Sequence, residues 1–90
     1  MFGFTDDAAA LIRLLIDNHG LDSGTGLRMS INPIQGSLVM SLTTSPDTTD
    51  EVFTHHDVRV FVDPAAQTRL HTQTLDARHR PPAFFLLTRP

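Results

Sequence analysis

The 90-residue sequence predicts one α+β domain, residues 1–90, in which β-sheets dominate. Two observations indicate this class. An apolar stripe with helical spacing lies near the start of the chain, and several later segments alternate apolar and polar side chains as half-buried strands do. The predicted order is a helix, two strands, a hairpin, a short helix and two more strands, about six strands in all. Hydrophobic residues make up 40% of the sequence, which excludes wholesale disorder.

The first helix is predicted over residues 5–18. Thr5 is a residue type that caps helices, and Asp6 and Asp7 suit the positive end of the helix dipole. Gly20 can take the left-handed conformation that commonly ends a helix. Five residues form the apolar stripe along one side: Ala8, Leu11, Ile12, Leu15 and Ile16. We expect this stripe to pack against a sheet.

Alternating segments predict the strands that follow. Three apolar faces are expected to be buried: Leu27/Met29/Ile31, Leu38/Met40/Leu42 and Val58/Val60/Val62. The segments 52–54 and 58–62 flank His55-His56-Asp57, which predicts a hairpin with Asp57 in its turn.

The second half of the chain adds a short helix and two strands. Asp63-Pro64 predicts a helix start, with Asp63 as the cap and Pro64 in the first turn, and the helix is expected to end near His71. Strands are predicted near residues 74–78 and 83–88. The last strand contains the run Phe84-Phe85-Leu86-Leu87, which is apolar on both faces. Such a run indicates either a central strand of the monomer or a strand covered by a partner.

Composition and charge exclude several classes of function. The net charge is −3 and the seven arginines are scattered, which argues against a nucleic-acid partner. No apolar run is long enough to cross a membrane and no signal peptide is recognisable, so we expect a cytoplasmic protein without a membrane partner. The absence of cysteine excludes disulfides and thiolate sites. No nucleophile arrangement or carboxylate pair suggests catalysis, so the sequence predicts a protein that is not an enzyme.

Four segments carry a family resemblance. They are Gly26-Leu27-Arg28-Met29-Ser30-Ile31, Asp57-Val58-Arg59-Val60-Phe61-Val62-Asp63-Pro64, Thr72-Gln73-Thr74-Leu75-Asp76 and Ala83-Phe84-Phe85-Leu86. In this order they resemble the A-type iron–sulfur cluster carriers, or HesB-like proteins, over nearly the whole chain. The resemblance implies a HesB-like fold, oligomerisation, and a role beside iron–sulfur assembly proteins.

The resemblance also implies three cysteine ligands that this sequence does not have. In the family, one cysteine follows the first strand, at a position corresponding to Gln35 or Gly36 here, and two lie in a C-terminal tail. None of these is present in the 90 residues, which end at Pro90. We therefore expect no cofactor, and a non-catalytic HesB-like protein that has lost cysteine-based cluster binding and acts through protein–protein association.

Histidine leaves an alternative open, a carrier of iron or another metal that uses histidine and carboxylate ligands. Adjacent strand residues point to opposite faces, so His55 and His56 chelate one ion only if a tight turn bends them. The sequence thus predicts no metal site, with His55 and His56 as the first candidates. A homodimer is expected, with Phe84, Phe85, Leu86 and Leu87 at or near its interface.

Overall fold

A computed structural model describes residues 1–89, and within them it contains two helices and seven strands. The elements are β1 (Gly3–Phe4), α1 (Asp6–Asn18), β2 (Gly26–Ile31), β3 (Leu38–Thr43), β4 (Glu51–His55), β5 (Val58–Val62), α2 (Pro64–Leu70), β6 (Thr74–Arg78) and β7 (Phe84–Thr88). The predicted sheet-dominated α+β class is confirmed, and each predicted helix and strand is present. Neither helix of these residues is long and apolar enough to cross a membrane.

The strands form two sheets. The four-stranded sheet has the order β3-β2-β5-β4, in which β2 and β5 are parallel and the outer pairs are antiparallel. The three-stranded sheet has the order β1-β6-β7. The two-residue strand β1 was not predicted, because two residues are too few to show alternation. It pairs in parallel with Thr74 and Leu75 of β6.

The N-cap residue of helix α1, Thr5, connects the helix to the three-stranded sheet by hydrogen bonds. The Thr5 hydroxyl oxygen accepts a hydrogen bond from the Ala8 backbone N–H at 3.1 Å, as an N-cap should. The same hydroxyl donates to Asp76 Oδ1 of β6 at 2.7 Å. Gly20 follows the helix with φ of +62°, as predicted. The cap therefore also fixes the start of α1 against the three-stranded sheet.

The core contains side chains from both helices, from one face of the four-stranded sheet and from the three-stranded sheet, where Leu75 and Ala77 of β6 are buried. The face of the four-stranded sheet includes Leu27, Met29, Val58, Val60 and Val62, all buried. The prediction for the apolar face of β3 was wrong at Met40, which remains 41% exposed, and Leu38 and Leu42 are only half-buried. Met40 pairs with Met29 and shares its face.

The physical reason is position in the sheet. Strand β3 is an edge strand, so its side chains have strand neighbours on one side only. Leu38 and Leu42 of β3 are half-buried and pack against the core, and Ile31 of β2 is half-buried as well. The apolar face of β3 thus lies at the margin of the core.

The opposite face of this sheet holds a second buried group. Phe61 of β5 is fully buried, although its neighbours Val60 and Val62 face the main core. Its ring lies beside Gly26, and the Arg59 guanidinium sits 5.0 Å from the ring centroid. On the same face Arg28 forms an ion pair with Asp50 at 2.8 Å, and the Asp50 side chain is fully buried. Burial on this face is therefore local, because Val39 and Val52 on the same face are exposed.

Helix α2 begins as predicted. Asp63 Oδ1 accepts a hydrogen bond from the Ala66 backbone N–H at 2.7 Å, and Pro64 occupies the first turn. His71 is the C-cap residue. The Asp63 backbone N–H donates to the Met29 carbonyl oxygen at 3.1 Å, so the start of α2 is fixed to β2.

Candidate functional site

The β4–β5 hairpin turn brings two histidines together. The turn consists of His56 and Asp57, and both have positive φ, +51° and +62°. This is the twist-compatible two-residue turn that favours Asp and Asn at its centre. The ring centroids of His55 and His56 are 4.3 Å apart. The strand rule that places adjacent side chains on opposite faces fails here, because the chain turns at His56.

A third residue joins the two histidines. The Nε2 atoms of His55 and His56 lie 2.6 Å and 3.0 Å from the same atom, Asp6 Oδ1 in the first turn of α1. One ligand atom from each of the three residues lies within 4.8 Å of the others. We call Asp6, His55 and His56 the hairpin cluster. Asp6 was not among the sequence candidates, because 49 residues separate it from His55.

The hairpin cluster is open to solvent. The exposed fractions of the side chains are 78% for Asp6, 40% for His55 and 64% for His56. The ring of His55 stands edge-on to the buried Phe4 at 5.6 Å between centroids, and the Arg13 guanidinium donates to the His56 carbonyl oxygen at 2.9 Å. Backbone and ring are thus held, while the ligand atoms remain accessible.

The electrostatics of the cluster favour an ionised carboxylate. Hydrogen bonds from His55 and then His56 hold the pKa of Asp6 below its ordinary value. The position of Asp6 in the first turn of a helix acts in the same direction. The cluster therefore offers one carboxylate oxygen and two imidazole nitrogens, which is a donor set that divalent transition metals accept.

The remaining three histidines have structural partners. His19 Nδ1 donates to the Leu15 carbonyl oxygen at 2.8 Å, and His71 Nδ1 donates to that of Thr68 at 3.1 Å. Both follow a helix, as the sequence predicted. His79 Nε2 lies 3.0 Å from the Asp7 carbonyl oxygen. These contacts are local or backbone-directed, so none of the three joins the hairpin cluster.

The loop at the family's first cysteine position contains no soft ligand. Asn32 Oδ1 accepts hydrogen bonds from the backbone N–H groups of Ile34 at 2.9 Å and Gln35 at 3.1 Å. The Arg69 side chain of α2 donates to the Gly36 carbonyl oxygen at 2.6 Å. Backbone and side-chain hydrogen bonds therefore shape this loop, and Gln35 and Gly36 provide no thiolate.

Strand β7 is an edge strand with two different faces. It pairs only with β6 in the described sheet, so the central-strand interpretation of its apolar run was wrong. Phe85 and Leu87 are half-buried and pack against the core. Phe84 is 51% exposed, and Leu86 lies on the same outward face by strand alternation. Of the two apolar faces of this run, only the face with Phe85 and Leu87 packs against this chain's own core.

The fold is similar to that of three solved structures, and the descriptions of two of them mention iron–sulfur clusters. The Escherichia coli SufA crystal structure, described as involved in biosynthesis of iron–sulfur clusters, has a TM-score of 0.78 and 26% identity over 99% of this chain and 85% of its own. A protein of Aquifex aeolicus solved by NMR has a TM-score of 0.78 and 22% identity, over 99% and 91%.

A crystal structure of IscA with a [2Fe-2S] cluster has a TM-score of 0.74 and 18% identity, over 100% of this chain and 86% of that one. No protein-family model and no curated protein matches the chain. The resemblance predicted from the four segments is nevertheless confirmed by the fold, and the cysteines are absent from the sequence.

Proposed function

We propose that this protein, a cysteine-free relative of the A-type iron–sulfur carriers, is a non-catalytic protein of the cytoplasm that acts through protein–protein association. The observation that carries the proposal is the presence of a HesB-like fold without any thiolate in the 90 residues. Thiolates are the ligands that iron–sulfur clusters require, with few exceptions. A protein with this fold but without the cysteine ligands can still bind other proteins through its surface.

The surface that we assign to association is the outer side of β7, and the partner that we assign to it is a second copy of the chain. Phe84 and Leu86 face outward there, and the free edge of β7 offers unpaired backbone groups. Two copies related by a two-fold axis, the commonest symmetry of homodimers, can place the same strand against itself. A small domain also gains stability from such burial.

Light scattering tests this association. The wild type at tens of micromolar, with a chelator present, should have the mass of a dimer. Phe84→Asp should give a folded monomer, because the charge would lie in the interface. The matched control is Ile34→Asp, which also replaces an exposed apolar residue, 93% accessible, but lies in the loop after β2. A strictly monomeric wild type would refute the proposal.

Phe85→Asp serves as a fold control. Phe85 packs against the monomer core, so a charge there should lower stability whether or not a dimer forms. The distinction between Phe84 and Phe85 separates loss of association from loss of folding. If the wild type and Phe84→Asp had the same oligomeric state, the interface would not include the outer side of β7.

The absence of cluster binding is tested by reconstitution. Protein incubated anaerobically with ferrous iron and sulfide, then desalted, should show no charge-transfer absorption above that of a control protein. Stable uptake of a stoichiometric cluster would contradict the loss of cluster binding.

Iron–sulfur assembly proteins are the partner class that the fold suggests. A pull-down from the native host should therefore recover such proteins with the wild type.

A second candidate function, a metal carrier with histidine and carboxylate ligands, is favoured by the hairpin cluster. Its support is the convergence of His55, His56 and Asp6 on one point of the surface. A carrier must release its ion to an acceptor as well as bind it. The test is transfer of bound iron or zinc from the protein to a metal-free acceptor, followed in the acceptor's spectrum. Failure to transfer would leave only the association function.

A further inference from the structure

We propose that Asp6, His55 and His56 form an intrachain binding site for one borderline divalent transition-metal ion, of the class represented by Zn²⁺. The inference deepens the second candidate function by naming the ligands and the class of ion. It is independent of the association through β7. The site would connect the first turn of α1 to the tip of the β4–β5 hairpin.

The distances allow an ion to enter with a small movement. Two ligands of a tetrahedral zinc ion, each about 2.0–2.1 Å from the metal, lie roughly 3.3 Å apart. The two Nε2 atoms are 2.6 Å and 3.0 Å from Asp6 Oδ1, so each contact would open by less than about 1 Å. The Asp6 side chain is largely exposed and can make this change by rotation.

The backbone fixes the two imidazoles in advance. Positive φ at His56 and Asp57 commits the hairpin to a tight turn, and Arg13 ties the His56 carbonyl to α1. The ring of His55 is placed by its edge contact with Phe4. A site with fixed ligands loses less conformational entropy on binding than three independent exposed side chains would.

The donor set selects the class of ion. Two imidazole nitrogens and one carboxylate suit zinc, iron, cobalt, nickel and copper, whereas magnesium prefers oxygen ligands. Binding requires a lone pair on each Nε2, so each neutral ring must hold its proton on Nδ1. Three protein ligands leave at least one coordination position for water, which makes the site open and exchangeable.

The hairpin cluster already brings three potential ligand atoms to one place, each within 4.8 Å of the others. Here two rings 4.3 Å apart approach the same oxygen atom. Without a metal, each Nε2–H donates a hydrogen bond to this oxygen. A bound ion would take the place of these two protons, and each neutral ring would then keep its proton on Nδ1.

Calorimetry with Zn²⁺ alone, at pH 7.5 and without chelator, tests the site. The wild type should bind one ion per chain. His55→Gln, His56→Gln and Asp6→Asn should each weaken binding by at least about tenfold, since loss of an outer-shell partner already costs about 10–100-fold. The matched control is His71→Gln, an exposed histidine bonded to its own helix, which should bind as the wild type does.

Three results would overturn the site. They are no saturable binding by the wild type, equal weakening by His71→Gln, and one ion per two chains, which would mean that two hairpin tips share a metal. Mg²⁺ in place of Zn²⁺ should give no saturable heat. Circular dichroism of each variant checks that it is folded. Association is measured by light scattering with a chelator present, and metal binding by calorimetry without one. The failure of one proposal can therefore be distinguished from the failure of the other.

Discussion

Replacing Gly26 by alanine should destabilise the protein, because the sheet leaves no space for a side chain at that position. An added Cβ would lie 2.7 Å from the Arg59 carbonyl oxygen and 2.8 Å from the Cε2 and Cζ atoms of Phe61. Ordinary contacts between such atoms are roughly 3.5–4.0 Å. The backbone of β5 and a fully buried ring would therefore both have to move by roughly 0.7 Å or more.

The magnitude follows from two opposing effects. Forcing one carbon into a packed region costs about 1–3 kcal/mol. Removing glycine from the unfolded chain returns about 0.4–1 kcal/mol. We expect a net loss of about 1–2 kcal/mol in the free energy of unfolding, which for a domain of this size lowers the melting temperature by about 5–15 °C.

Urea unfolding followed by far-UV circular dichroism measures this change, since the chain has no tryptophan or tyrosine to report by fluorescence. The midpoint should fall and the m-value should stay constant. Gly3→Ala is the control, because its Cβ would meet no atom within 4 Å, and it should be neutral or slightly stabilising. A Gly26→Ala protein as stable as the Gly3→Ala protein would refute the packing argument.

Three further predictions concern caps, pH and the edge of the core. Asp63→Ala should lower the free energy of unfolding by about 0.5–2 kcal/mol in urea titrations, because α2 loses its cap, and Asp63→Asn should retain most of it. Hydrogen bonds, above all the one from the Thr5 hydroxyl, lower the pKa of Asp76 from 3.8 to about 2. The ionised Asp76 therefore stabilises the fold fully above about pH 4, and this stabilisation is lost as the pH falls towards about 2. In acid titrations, the free energy of unfolding of Asp76→Asn should lack this pH-dependent part. Met29→Ala should cost about 2–5 kcal/mol and Met40→Ala under about 1 kcal/mol by thermal unfolding, since only the first is fully buried.

Periodicity predicted the elements because each buries one face. The α1 stripe and the alternation in β2 and β5 both reflect contact with a single core, and the caps at Thr5 and Asp63 have local sequence signals. Alternation does not reveal whether a strand is central or at the edge of its sheet. Met40 has the pattern of a buried residue and the exposure of an edge residue for this reason.

Phe61 shows the opposite case. Alternation assigns it to the face of the sheet opposite the main core, yet it is fully buried, with Gly26 beside its ring and the Arg59 guanidinium 5.0 Å from the ring centroid. These contacts join residues distant in sequence. No local pattern contains them, although a glycine opening a strand was a usable signal for a close approach.

The hairpin cluster was half predictable. The two histidines and the possibility of a tight turn could be read from the sequence, because Asp57 is a residue that accepts positive φ. Asp6 could not, since its closeness depends on how α1 crosses the hairpin. In the sequence, Asp6 is already explained by its favourable position at the start of a helix, so nothing there points to its contact with the two histidines.

Retention of the fold without thiolate ligands has a physical basis in where the stability resides. The core between α1, α2 and the four-stranded sheet contains no ligand residue, and Thr5, Asp76 and Asp63 connect the helices to the sheets by hydrogen bonds. A chain without cysteine therefore lacks thiolate chemistry but can keep this packing. Because fold does not determine function, what the protein does depends on its surfaces. The two surfaces proposed above, the apolar strand edge at β7 and the pair of histidines at the hairpin tip, can be altered one at a time.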